Sequence, residues 1–205
     1  MPKVKVARKS TWVDMTAMTD VAFLLLTFFM LTSNFVKKEP VLVYTPSSIS
    51  EIKIPETNIM TVLLDKDGKI FFGIDGQTTR RDLITRMGEK FSVSFTEEEI
   101  RQFTLIDLAG NPMGAMKTYL GMGMEQRENP DNNLGVPADS TNNQLRTWVK
   151  TARELNKDAR IAIKADEKTP YPTIKKVMKT LQQIDENRYN LITRLEGPSD
   201  EAPKK

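Results

Sequence analysis

The chain has no cysteine and no histidine among its 205 residues. Without cysteine there are no disulfides, no thiolate nucleophile and no cysteine metal site. The absence of histidine removes the commonest general base and the commonest metal ligand. No nucleophile motif compensates, so the residues point away from an enzyme and offer no catalytic residue, metal site or cofactor site. Charge of one sign is also scarce. Thirty basic and 27 acidic residues leave a formal charge of +3. The basic residues are dispersed and no aromatics interleave them, which argues against nucleic-acid binding. A mean hydropathy of −0.41 excludes several membrane spans but leaves room for one.

One long apolar run is present. Thr16 to Val36 carries a single charge, Asp20. As a helix it would be about 30 Å long, the thickness of a hydrocarbon core. A signal peptide would have a shorter run and a small-residue cleavage site. Here the run ends in Asn34-Phe35-Val36-Lys37-Lys38. A buried core helix would be apolar on one stripe, and this run is apolar all round. An uncleaved transmembrane helix over residues 14–36 is therefore expected. About ten strongly apolar residues contribute roughly −3 to −6 kcal/mol to insertion, against roughly +2.5 to +3.5 for a central Asp. Lys3, Lys5, Arg8 and Lys9 precede the run. They favour a cytoplasmic amino terminus (residues 1–13) and an extracytoplasmic remainder.

The acid has two readings. It can be an interfacial residue reaching the headgroups, with Thr16 and Thr27 bonding back to their own helix. Or it can face a partner helix or wet cavity and exchange protons, as intramembrane acids commonly do. Asp20, Thr27 and Asn34 are spaced by seven and Thr16 precedes by four, so the four share one face. Asp20 is the candidate proton carrier; Thr16, Thr27 and Asn34 are candidates to line its path. One helix cannot form a path, so a partner membrane protein or a dimer is required.

The segment "DMTAMTDVAFLLLTFFMLTS", residues 14–33, resembles the ExbD/TolR family of biopolymer-transport proteins. That family carries a Thr-Pro-φ-φ-Asp-Val motif before a Leu/Phe/Met-rich run. Thr16-Ala17-Met18-Thr19-Asp20-Val21 fills it, with Ala17 in place of the proline. "ARIAIKADEKTPYPTIKKVMKTLQQI", residues 159–184, is similar to the family's strand, Ala-Asp pair, Tyr-bearing turn and Val-Met helix. The resemblance implies a single-pass protein of the bacterial inner membrane with a periplasmic domain. It implies a proton-channel subunit of an ExbB–ExbD-type motor that uses the proton motive force to energise TonB-dependent transport across the outer membrane. The implied partners are an ExbB/TolQ-like multi-span protein, a TonB-like protein and a second copy within a partner oligomer. Asp20 matches the family's proton-carrying aspartate. Asp20 with Thr27 suits H⁺ or Na⁺, and the resemblance favours H⁺. An envelope-maintenance or gliding motor is the same class of device. The alternative of a different class is a membrane-anchored periplasmic scaffold or wall-binding module without ion conduction.

Residues 37–57 read as a linker. Three prolines demote Val41-Leu42-Val43-Tyr44 from a central strand to an edge or an extended tether. It is either passive, reaching some 50 Å at about 3.3 Å per residue, or a strand that pairs with a TonB-like partner or a second copy. From residue 58 to 197 a small α+β domain is expected, a two-layer β/α sandwich with a hairpin turning at Asp67-Gly68. Helices are expected over 78–91 and 142–156, the latter capped by Ser140 or Thr141, then strand, helix and strand to residue 193. Residues near 78–140 read as an insertion. Its Met113, Met116, Met122 and Met124 either form an adaptable binding surface or belong to a helix pair packed on its own domain. Asp65 to Lys69 lacks the Glu a calcium loop needs at position twelve. Asp166-Glu167 reads as a polar turn, with Asp166 a cap. Residues 198–205 form a tail.

Overall fold

The computed structural model describes residues 15–33, 41, 43–48, 58–127, 129–192 and 194–195. The chain divides into two compact units, Met1–Lys38 and Glu39–Lys205. In the first, helix α1 (Met15–Thr32) has no buried residue, and all of it but the half-sheltered Thr27 is exposed. Its apolar residues have no stripe to hide, as a lipid-facing helix requires. Thr19, Thr27 and Thr32 donate their hydroxyls to the helix's own carbonyls, Thr27 to Leu24 O at 2.9 Å. No threonine proton among these three is left unsatisfied in an apolar setting.

The second unit begins with a two-residue strand β1 (Ser47–Ser48), followed by β2 (Ile59–Leu64) and β3 (Ile70–Ile74). These last two form the expected antiparallel hairpin, Leu64 opposite Ile70. Four helices come next: α2 (Gln77–Phe91), α3 (Glu97–Thr104), α4 (Met113–Leu120) and α5 (Met124–Arg127). After a 3-10 turn at Pro130–Asn132 the chain runs through α6 (Gln144–Leu155), β4 (Arg160–Ala165), α7 (Tyr171–Gln182), β5 (Tyr189–Ile192) and β6 (Arg194–Leu195). The sheet order is β3-β2-β4-β5, with β4 parallel to both β2 and β5. A separate parallel pair joins β1 to β6.

Strand alternation sorts side chains between the two faces. Met60, Val62 and Leu64 of β2 face the main core with Leu83, Ile84 and Met87 of α2 and Leu145, Trp148, Val149 and Ala152 of α6. Leu63 and Phe71 point to the other face. The periodicity of 78–91 and 142–156 therefore located the two helices and their buried stripes. The cap of α6 is different from the one expected. Asn143, not Ser140 or Thr141, accepts the Arg146 N–H at 2.9 Å. Its side-chain amide also donates to Thr180 Oγ1 at 3.0 Å, tying α6 to α7.

The described residues between 92 and 141 pack against the domain and contribute to its core. The acidic run Glu97-Glu98-Glu99 opens α3, where Thr96 and Glu99 form a reciprocal capping box. Acids suit this position because the first turn's free N–H groups present positive charge. Met113 and Met116 are fully buried with Ile100, Phe103, Tyr119 and Leu120. Of the two expectations for the methionines, the packed helix pair is the one found for these two. The same segment covers the outer edge of β3. Phe72 and Ala109 exchange both backbone hydrogen bonds at 2.8 Å, and Val136 N–H donates to Ile70 O at 2.7 Å. Two glycines permit the approach. A Cβ on Gly73 would lie 2.1 Å from Asp107 O, and one on Gly110 would lie 2.2 Å from the Phe71 ring.

Arg80 fastens this segment from inside. Its guanidinium donates to Ile74 O, Thr104 O and Ile106 O and pairs with Asp107 at 2.6 Å. Nothing in Arg80-Arg81 distinguishes the two in sequence, yet Arg80 is buried while Arg81 is exposed beside Glu97.

Burial pushes the Tyr119 phenol above its ordinary range, partly offset by the nearby Arg127 charge. A raised folded-state pKa means stability is full below the unfolded value near 10 and is lost as pH rises through the folded value. The wild-type urea midpoint should fall steeply above about pH 10, and Tyr119→Phe should flatten that fall. Equal slopes in the two proteins would show that Tyr119 is not the group responsible.

Candidate functional site

Two places carry the residues singled out from sequence. The first is α1. Asp20 is the only charged residue from Met15 to Ser33. It is exposed on a helix with no basic side chain of its own. Thr16 stands one turn before it and Thr27 two turns after, on the same face by the helical repeat. Thr27 is partly sheltered and lines a shallow apolar groove with Val21, Leu24, Leu25, Phe28 and Leu31. Its proton is held by Leu24 O, so toward a visiting ion or water it presents oxygen lone pairs. Asn34 lies outside the described residues. The helix thus offers one carboxylate and a threonine oxygen on a narrow face, surrounded by hydrocarbon.

The second place is the linker. Val41 is buried in a small cluster with Leu63, Phe71 and Leu108, and Val43 packs against it. Leu42 lies outside the described residues. The backbone of Tyr44 is bracketed. Its N–H donates to Asp166 Oδ2 at 2.8 Å and its carbonyl accepts the Glu167 N–H at 2.8 Å. The Tyr44 ring is exposed. Three residues on, Ser47 and Ser48 pair with Arg194 and Leu195. The described linker residues Val41, Val43 and Tyr44 are thus seated on the back of their own sheet and at the carboxyl end of β4.

Asp166 is the residue whose full role sequence reasoning missed. As a cap it behaves as expected, since Oδ1 accepts the Lys168 N–H at 2.9 Å. Its second oxygen binds a residue 122 positions away, and no local pattern reports that. Among the described residues no group of three or more acidic side chains is placed to hold a metal ion.

A family model described as biopolymer transport protein ExbD/TolR matches residues 7–108. The chain belongs to the ExbD/TolR family. No curated protein and no solved structure matches it. The ExbD/TolR match takes in α1, the linker, the β2–β3 hairpin, α2 and α3. It runs past Thr78, so α2 and α3, read from the sequence as part of an insertion, lie inside it. It stops at Leu108, so the similarity noted at 159–184 lies beyond its end. There the structure forms β4, a turn and α7, the strand–turn–helix order expected of the family.

Membership makes this a transport protein, not an enzyme, and implies a role in a motor driven by the proton motive force. It also implies partners of the ExbB/TolQ and TonB/TolA types. The single apolar helix near the amino terminus fits a single-pass membrane protein.

Proposed function

We propose that this chain is the proton-carrying subunit of an ExbB–ExbD-type motor of the bacterial inner membrane, energising TonB-dependent transport across the outer membrane. The observation that carries the reading is Asp20, the lone charge on the one helix among the described residues that is long and apolar enough to cross a membrane. Such a group is costly in lipid, and helices keep it where it faces a partner or a wet path. An ExbB/TolQ-like protein and a second copy of α1 supply that path. Thr16, Thr27 and Asn34 line it. Asp20 loads a proton from one side, changes its contacts with the partner ring and unloads to the other. Residues 1–13 are cytoplasmic, residues 14–36 span, 37–57 link, and 58–197 form the periplasmic domain with residues 198–205 as its tail. Val41 to Tyr44 pair with an extended segment of the TonB-like protein.

Replacing residues 15–33 by an unrelated apolar helix without an acid separates this from the anchored-scaffold alternative. The motor reading expects complete loss of proton-driven transport, with the globular unit still folded and in the membrane. Undiminished transport by the swapped chain would leave α1 as a mere anchor.

A further inference from the structure

We infer that the linker's apolar face is masked by its own domain, and that Asp166 is the positioning residue that holds it there. This inference rests on the reading that residues 41–44 pair with a partner. It states what must happen first: the face offered to the partner has to leave its seat.

The seat has three parts. Val41 and Val43 are pegs on the back of the sheet, against Leu63, Phe71 and Leu108. Leu108 comes from the segment that covers β3, so that segment builds one wall of the seat. Asp166 and the Glu167 N–H hold both backbone groups of Tyr44. An extended segment meeting an incoming strand needs those same groups and those same valines. It cannot serve the seat and a partner together.

The seat is built to release. Two valines bury little area, and a two-residue strand pair adds little more. One hydrogen bond is charge-assisted, which makes Asp166 the strongest single polar contact of the set. Occupancy is favoured because the linker is tethered, at an effective concentration that reaches the millimolar range for short tethers. A partner's apparent affinity is then lowered by the fraction of chains left unmasked.

The test uses the full chain in nanodiscs and a labelled peptide of residues 39–48, EPVLVYTPSS. In the wild type the chain's own linker excludes the peptide. The double variant Val41→Asp, Val43→Asp empties the seat and should bind the peptide at least ~10-fold more tightly. Asp166→Ala should speed hydrogen exchange of the Tyr44 amide about tenfold or more while leaving the β2 and β4 amides unchanged. Asp166→Asn keeps a carbonyl acceptor and should recover part of the protection. Equal peptide affinity for wild type and double variant, or no binding to either, would overturn the inference. So would a wild-type Tyr44 amide that exchanges as fast as an unstructured one. These arms contain neither partner nor proton gradient, so their failure leaves the motor reading intact. Failure of the partner-pairing reading shows elsewhere, as capture of the TonB-like protein that Val41→Asp, Val43→Asp does not weaken.

Discussion

Asp20→Asn should reduce proton-driven transport to background while leaving the assembly intact. Asparagine keeps the shape of the side chain and a polar atom at both positions, and removes its ability to ionise and carry a proton. Failed insertion would not explain the loss, because replacing a charge by an amide lowers the cost of placing α1 in lipid. Transport should be measured in cells, with copurification of the ExbB/TolQ-like partner as the control. Each proton crossing 100 mV supplies about 2.3 kcal/mol, and a helix with no titrating group delivers none of it. Asp20→Glu keeps titration and lengthens the reach by one methylene. Partial transport by that variant would mean titration suffices, and its absence would mean the carboxylate's position is critical as well. Wild-type transport by Asp20→Asn would end the motor reading.

Trp148→Ala should destabilise the globular unit by about 3–5 kcal/mol, a large share of the roughly 5–15 typical of a domain. Trp148 is fully buried at the centre of the core. Its ring stacks on Phe103 of α3 at 6.0 Å and lies tilted to Phe72 of β3 at 5.9 Å. Truncation therefore opens a void where α6, the sheet and α3 meet. Among the described residues the indole Nε1 has no hydrogen-bond partner. An unpaired buried donor is unfavourable by about 1–3 kcal/mol, so Trp148→Phe loses volume but also removes that penalty. It should be far milder than Trp148→Ala. Urea unfolding followed by circular dichroism gives both values. Similar midpoints for the alanine and phenylalanine variants would show that volume at this site does not govern stability.

The parts legible in sequence share a property: their signal is local and repetitive. Leu145, Trp148, Val149 and Ala152 recur at helical spacing, and α6 buries those four. Asp67-Gly68 between two apolar runs became the β2–β3 hairpin. The resemblance at residues 14–33 led to the family that the match over 7–108 establishes. Where a decision between neighbours was needed, local signals failed. Ser140, Thr141 and Asn143 are all good caps, and the contact with Thr180 on another helix favoured Asn143. Met113 and Met116 read equally well as surface or core until α3 and α4 closed over them.

Sequence alone determined the apolar helix and its single acid, the order of strands and helices in most of the domain, and the absence of cysteine and histidine chemistry. These follow from composition and from periods of two and 3.6 residues, which neighbouring positions carry by themselves. Tertiary structure decided which arginine is buried, how the segment after α2 seals β3, and that the linker sits on its own domain through Asp166. Each of these joins residues far apart in the chain. Such contacts form only when a long loop closes, at an entropic cost, onto a surface that exists only once the sheet has formed.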